Sequence, residues 1–199
     1  TVLAIQKAEI LTYEYDQGLE TGSIDANDPN QGDTSRVEPQ GDSNRLYRTA
    51  DLHKTTISKS AEAVSQAVVK VSSPSGTGSG FFINEDGYLI TNYHVIERET
   101  KIEVTMFAKT RNGFEKRSLK KVKIEAMNQF VDLALLKVED TGEKKVAFVY
   151  LGESERVERG ETVFAVGNPL GLERTVTDGV VSTKNRAFEG LLYLQTNAD

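Results

Sequence analysis

Apolar and polar positions change period along the chain, and the changes divide it. From Val2 to Glu20 the apolar residues Val2, Leu3, Ile5, Ile10, Leu11, Tyr13, Tyr15 and Leu19 fit one helical face loosely, which predicts a short helix over 2–20. From Thr21 to about Asp51 large apolar side chains almost vanish, and Gly, Asp, Asn, Ser and Gln take their place. Such a stretch cannot bury enough surface to offset its ordering entropy, so it reads as a flexible linker. Order is expected from about Thr55. Ile57, Ala61 and Val64 stand at i, i+4 and i+7, the spacing of a short helix.

Thereafter the period shortens to that of strands. Ala67 to Val71 reads as a strand, Ser72 to Gly80 as a Gly/Ser-rich turn, and Phe81 to Ile83 as a second strand. Asn84-Glu85-Asp86-Gly87 supplies a hairpin turn into Tyr88-Leu89-Ile90-Thr91. Lys101 to Ala108 is the next strand, and the Arg111-Asn112-Gly113 turn leads to a return from Phe114 toward Val122 and Ile124. Leu133 to Val138, Val163 to Val166, Val176 to Ser182 and Leu191 to Thr196 complete the set, with Thr183 to Gly190 as a short connection. Many short strands with hardly any helix predict an all-β antiparallel barrel or sandwich.

Charge sharpens the division. The formal net charge of −6 splits into −5 for residues 1–54, with 5 Lys and Arg against 10 Asp and Glu, and −1 for residues 55–199, with 19 against 20. The acidic run is read as a solvated spacer rather than a binding element. Without a general basic surface, nucleic acid is not an expected partner. The one basic concentration is Lys109, Arg111, Lys116, Arg117, Lys120, Lys121 and Lys123, read as a solvated sheet edge that lysines protect from edge-to-edge pairing. Cysteine is absent, which excludes a disulfide framework, a thiolate metal site and a Cys nucleophile. No apolar run approaches the roughly 18–20 residues of a membrane-spanning helix. No cofactor is expected.

The candidate chemistry lies at two strand ends. His94 follows the Tyr88–Thr91 strand, and Asp132 opens the Leu133–Val138 strand. Either residue alone has a structural alternative: a histidine packed beneath a turn, an aspartate turning the chain into a strand. Asp132 is flanked by Val131, Leu133, Ala134, Leu135 and Leu136, so a largely buried carboxylate is expected, which needs a partner; an imidazole N–H is a suitable one. Together they form two-thirds of an acyl-transfer triad. Ser182, at a strand end without a Gly-rich elbow, is read as structural, and His53, which has no companion ligands, as a surface residue.

Four segments in order carry a resemblance: Ser79-Gly80-Phe81-Phe82-Ile83 through Thr91-Asn92-Tyr93-His94-Val95, then Asp132-Leu133-Ala134-Leu135-Leu136-Lys137, then Ala165-Val166-Gly167-Asn168-Pro169-Leu170-Gly171-Leu172, and finally Leu194-Gln195-Thr196. Over about residues 55–199 the chain resembles the HtrA (Deg) family of serine endopeptidases. The resemblance implies a two-barrel chymotrypsin-like fold with an incomplete second barrel, behind an acidic, largely flexible segment 1–54. It implies that His94 is the general base and Asp132 its orienting acid, that Gly167–Gly171 lies near the site, and that the nucleophilic serine and oxyanion hole follow Asp199. It implies protein or peptide substrates, a homo-oligomer, often a trimer, and a bacterial envelope, periplasmic or exported location. Asn197 stands where the family commonly has Asp, and Thr183–Gly190 is shorter than the activation loop of regulated members. The alternative is a pseudoprotease, the same fold used as a peptide-binding scaffold.

Overall fold

The computed structural model describes residues 46–50, 52, 55–110, 113–142, 145–167, 175–188 and 190–198. The helix and linker expected before Leu46, the turn residues Arg111 and Asn112, His53, and residues 168–171 of the Gly-containing loop lie outside the described residues.

Among the described residues one α-helix precedes ten strands. Helix α1 (Ile57–Ala67) is capped by Thr56, whose side chain accepts from the Lys59 N–H at 3.4 Å. It runs three residues further than the Ile57–Val64 spacing suggests, because Ala67 continues the buried stripe of Ser60, Ala61 and Val64. The strands are β1 (Val68–Ser72), β2 (Thr77–Phe82), β3 (Tyr88–Thr91), β4 (Glu103–Thr110), β5 (Gly113–Leu119), β6 (Val122–Asn128), β7 (Leu133–Val138), β8 (Thr162–Gly167), β9 (Thr175–Phe188) and β10 (Leu191–Thr196). The first seven form an antiparallel sheet in the order β5-β4-β1-β2-β3-β7-β6. Its two edge strands, β5 and β6, are consecutive in the chain and joined only by Lys120 and Lys121. Two residues span about 10 Å at most, so the sheet must curl until its edges meet at that point. This half of the molecule is a barrel, filled by Val69, Val71, Phe82, Leu89, Val104 and Leu136, all 0% exposed.

Strands β8, β9 and β10 form a second antiparallel sheet in the order β10-β9-β8. The two sheets meet through a smaller core, in which Val64 and Ala67 of α1 pack with Val68 and Val149 against Phe164 and Val166 of β8. The architecture is the all-β, two-barrel chymotrypsin type, with the second unit represented by three strands.

Three expectations need correction. Ser72–Gly80 is not one turn: Ser73 and Gly76 close a tight turn through Ser73 N–H to Gly76 O at 2.8 Å, and β2 begins at Thr77. Gly78 and Gly80 are close-packing residues: a Cβ on Gly80 would meet the Ile90 carbonyl oxygen at 2.8 Å. The return from Phe114 is two strands at opposite edges rather than one. Thr183–Gly190 is not a connection, because β9 continues to Phe188 and the antiparallel ladder reaches Leu191 paired with Phe188. The reading of the basic stretch as a sheet edge agrees with the place of β5.

Packed structure also begins earlier than Thr55. Asn84 Nδ2 donates to Leu46 O at 2.6 Å, Leu151 N–H to Arg48 O at 2.9 Å, and Arg48 Nη2 to Glu85 Oε1 at 3.1 Å. The Arg48 and Glu85 side chains are 17% and 23% exposed. Burial alone would raise the Glu85 pKa, but its backbone hydrogen bond and the Arg48 guanidinium outweigh it and hold the carboxyl below its ordinary value. A depressed folded-state pKa means stability that is fully present above the unfolded value, near 4.5, and lost as pH falls through the folded value. Glu85→Gln is therefore expected to lower the urea midpoint at about pH 6, with the gap to the parent narrowing as pH falls below the unfolded value near 4.5 and the parent's own carboxylate protonates.

Candidate active site

The site is assembled where β3 ends and β7 begins. Thr91 pairs with Ala134 across these antiparallel strands, so residues just past Thr91 and just before Ala134 share one end of the barrel. Thr91 is itself buried and donates Oγ1–H to Ser79 O at 2.8 Å, which fixes the strand end. Beyond Asn92 the chain turns into a short 3₁₀ helix, Tyr93–Val95. Val95 and the following Ile96 drive into the barrel at 5% and 2% exposure, which leaves His94 on the outer face. Ser73 Oγ donates to Val95 O at 2.9 Å, and Gly78 passes so near that a Cβ there would lie 2.5 Å from Val95 Cγ2. His94 thus rides on a turn held from below.

Asp132 closes the turn between β6 and β7. Its N–H donates to Gln129 O at 3.2 Å, and its backbone adopts φ 50°, a left-handed conformation that Asp tolerates better than most residues. That conformation turns both its carbonyl and its carboxylate toward the 92–94 segment. The carbonyl accepts the Tyr93 N–H at 3.1 Å and Asn92 Nδ2 at 3.2 Å. Carboxylate Oδ1 accepts the His94 backbone N–H at 2.9 Å, and Oδ2 accepts Asn92 Nδ2 at 3.1 Å. His94 Nδ1 lies 2.7 Å from Asp132 Oδ2. An ionised carboxylate can only accept, so Nδ1 carries the hydrogen and Nε2 keeps the lone pair of the neutral ring.

Both residues singled out in the sequence are therefore in direct contact. The expected deep burial of Asp132 is not observed: its side chain is 39% exposed and that of His94 64%. The apolar residues after Asp132 alternate across the sheet, with Ala134 and Leu136 inward, whereas Asp132 sits on the turn before it. Besides the expected imidazole, its partners are the backbone of 93–94 and Asn92, a residue that sequence reasoning did not single out. The available signal was a polar amide directly after the strand and two residues before the histidine. Ser182 lies within β9, and Gly167 ends β8. Among the described residues no three His, Cys, Asp or Glu side chains come together as a metal cluster, and no helix is long and apolar enough to cross a membrane.

A barrel that presents a hydrogen-bonded His–Asp pair at its strand ends is the framework of a trypsin-like peptidase, and comparison with known proteins agrees. The trypsin-like peptidase domain matches residues 78–199, and the chain belongs to that family. It is HtrA-like within it: it is 42% identical over 113 residues to a Rhizobium meliloti protein named probable periplasmic serine endoprotease DegP-like, covering 57% of this chain and 20% of the relative. It is 36% identical over 132 residues to the rat serine protease HTR4, covering 63% of this chain and 25% of the relative. The crystal structure of Deg5 superposes with a TM-score of 0.60 at 31% identity, over 73% of this chain and 76% of that one. The chain spans about a fifth to a quarter of the length of these two curated relatives.

The Nδ1–Oδ2 contact predicts a ¹⁵N NMR pattern in which His94 is protonated on Nδ1 at neutral pH. Asp132→Ala is expected to remove that preference and leave the ring mainly Nε2–H; an unchanged pattern would mean that Asp132 does not set the tautomer.

Proposed function

We propose that the chain forms the acid–base part of a serine endopeptidase, in which His94 is the general base and Asp132 its orienting acid. The observation that supports it best is Asp132 gripping the 92–94 segment at backbone and side chain at once, which fixes both the position and the tautomer of the imidazole. In the reaction, His94 Nε2 takes the hydroxyl proton as the serine attacks the scissile carbonyl, then returns it to the leaving amine. Asp132 stays ionised and stabilises the imidazolium that forms in between. Asn92 Nδ2 donates to the same Oδ2 that accepts His94 Nδ1, and to the Asp132 carbonyl, and so holds the carboxylate in place, a positioning role. The nucleophilic serine, with the backbone donors that hold the oxyanion, is supplied in this reading by sequence following Asp199. Protein or peptide chains are the substrates, and residues 55–199 constitute the protease part of the longer protein, behind segment 1–54.

The name of the Rhizobium relative supports a bacterial cell-envelope location, while the rat relative shows that similar chains extend beyond bacteria. Assembly as a trimer belongs to the same reading.

The test uses the protein extended past Asp199 and treated with a fluorophosphonate probe. Labelling of one serine is expected, with loss of labelling in His94→Ala. Asp132→Asn is expected to lower kcat on a protein substrate by about 10⁴-fold, the scale seen when a triad acid is replaced by its amide. Labelling that survives His94→Ala, or a serine present but inert with every substrate offered, would overturn the endopeptidase reading and leave the fold as a peptide-binding scaffold.

A further inference from the structure

The basic concentration that looked like a protected sheet edge forms a shaped feature. Where β5 passes into β6, Arg117, Ser118, Leu119, Lys120, Lys121 and Asp140 line a shallow cleft of about 370 Å³. Three segments are tied together there. Lys121 O accepts the Glu139 N–H at 2.9 Å, which joins the β5–β6 link to the end of β7. Arg117 reaches from β5 to the turn that follows β7, and its guanidinium lies so near Gly142 that a Cβ there would be 2.5 Å from Nη2 and 3.3 Å from Cζ. Gly142 has φ 86°, and its N–H donates to Asp140 Oδ1 at 3.2 Å. A glycine in the left-handed region thus gives the guanidinium bare backbone to rest against, and Arg117 is partly buried rather than loose in solvent.

The charge in this cleft is not balanced. Arg117, Lys120 and Lys121 face one carboxylate in the lining, Asp140. Asp140 is already engaged, since Oδ1 accepts the Gly142 N–H and Oδ2 lies 3.7 Å from Lys121 Nζ. Lys120 Nζ lies 4.0 Å from Glu103, and the Lys120 and Lys121 side chains are 79% and 70% exposed. Exposed pairs of this kind are weak and exchange readily with other anions. Arg117 has no carboxylate partner among the described residues. An arginine held by packing, with its fork of N–H donors free, is preorganised for an oxyanion. Lys116 and Lys123 flank the cleft in sequence but not in its lining, and Lys123 is paired with Glu125 at 3.0 Å.

The surroundings limit what the ligand can be. Residues 55–199 carry 19 Lys and Arg against 20 Asp and Glu, so a membrane face or a nucleic-acid backbone, which needs positive charge over a wide surface, finds none beyond the cleft. A single carboxylate would engage the Arg117 fork and leave both lysines unused. Two adjacent phosphate groups carry about three negative charges, a match for Arg117, Lys120 and Lys121 together. We propose that the cleft is a binding site for a small oligophosphate, a compound with two or three adjacent phosphate groups. Arg117 grips one group through its fork, Lys120 and Lys121 act as point charges on the next, and the Ser118 hydroxyl is a further donor. The ligand then spans β5, the β5–β6 link and the turn after β7, across the point at which the two barrel edges meet. The site is independent of whether His94 acts in catalysis.

The test is a titration of the full ¹⁵N-labelled chain with sodium tripolyphosphate, read by NMR. Saturable shifts are expected at the amides of 117–121 and 140–142, with affinity falling at least about tenfold when NaCl is raised from about 0.05 to about 0.5 M, where screening acts within a few ångströms. Lys120→Ala/Lys121→Ala, which alters only exposed side chains, should weaken binding at least about tenfold, and Arg117→Lys, which keeps the charge and loses the fork, should weaken it as well. Lys116→Ala/Lys123→Ala removes as much charge from outside the lining and should leave the affinity within about twofold. Shifts spread evenly over the basic residues, equal weakening by the two double variants, or citrate bound as tightly as tripolyphosphate would overturn the proposal. So would cleft amides that respond to phosphatidylglycerol vesicles and not to tripolyphosphate, which would make this edge a membrane contact instead.

Discussion

The antiparallel register of β3 against β7 is the constraint on which the site depends. Leu89 lies opposite Leu136 in this ladder, and both are 0% exposed. A slip of one residue would turn each outward, at a cost of about 1.5–3 kcal/mol per side chain. The same register sets Thr91 opposite Ala134. The hydrophobic core therefore decides which residues meet at the end of the ladder, and those residues are Asn92 to His94 on one side and Asp132 on the other. No attraction between imidazole and carboxylate is needed to bring the chains together. Their contact refines an approach that apolar packing has already made.

Fine positioning falls to the backbone. Asp132 offers its carbonyl and its carboxylate to one short segment, and its left-handed φ lets both face the same way. Four donors converge on it: Tyr93 N–H, His94 N–H, Asn92 Nδ2 and His94 Nδ1. Below, Val95 and Ile96 are locked in the core and Gly78 leaves no room for the 3₁₀ turn to sink. An exposed pair can in this way be as well oriented as a buried one, because the ordering entropy of the turn is met by packing beneath it. The openness has chemical value, since an imidazole that must exchange a proton with a reacting group cannot be sealed inside the barrel.

The sequence made most of this arrangement readable, and its failures have physical causes. Leu89, Leu136 and Val138 announce strands because alternating apolar side chains report a half-buried pleat. His94 and Asp132 stood out because they interrupt that alternation with ionisable groups at strand ends. The glycines at 78 and 80 misled, since a strand residue without a side chain carries no period, and their reason for being there, contact with Val95 and the Ile90 carbonyl, is visible only in three dimensions. Asp132 was expected to be buried because its sequence neighbours are apolar, yet neighbours along a strand point to opposite faces and say little about a turn residue. Asn92 was hidden for a related reason: its partner is 40 residues away.

The long β9–β10 hairpin shows the same logic in the second sheet. Residues 183–188 are polar or exposed and have the composition of a loop, yet they are held in a ladder with β10 up to the Phe188–Leu191 pair. Two register shifts, between Tyr193 and Gln195 and between Gln195 and Thr196, leave extra residues on β9 and bend it. Lys184 lies within the first shift, and its Nζ reaches Glu155 O at 3.1 Å and Glu158 Oε1 at 3.3 Å, with the side chain only 25% exposed. Near the tip, Phe188 and Tyr193 meet edge to face at 6.3 Å. A connection built in this way is braced at its base and zipped along its length. Order–disorder switching needs a segment whose ordered state has few fixed contacts, and this one has many.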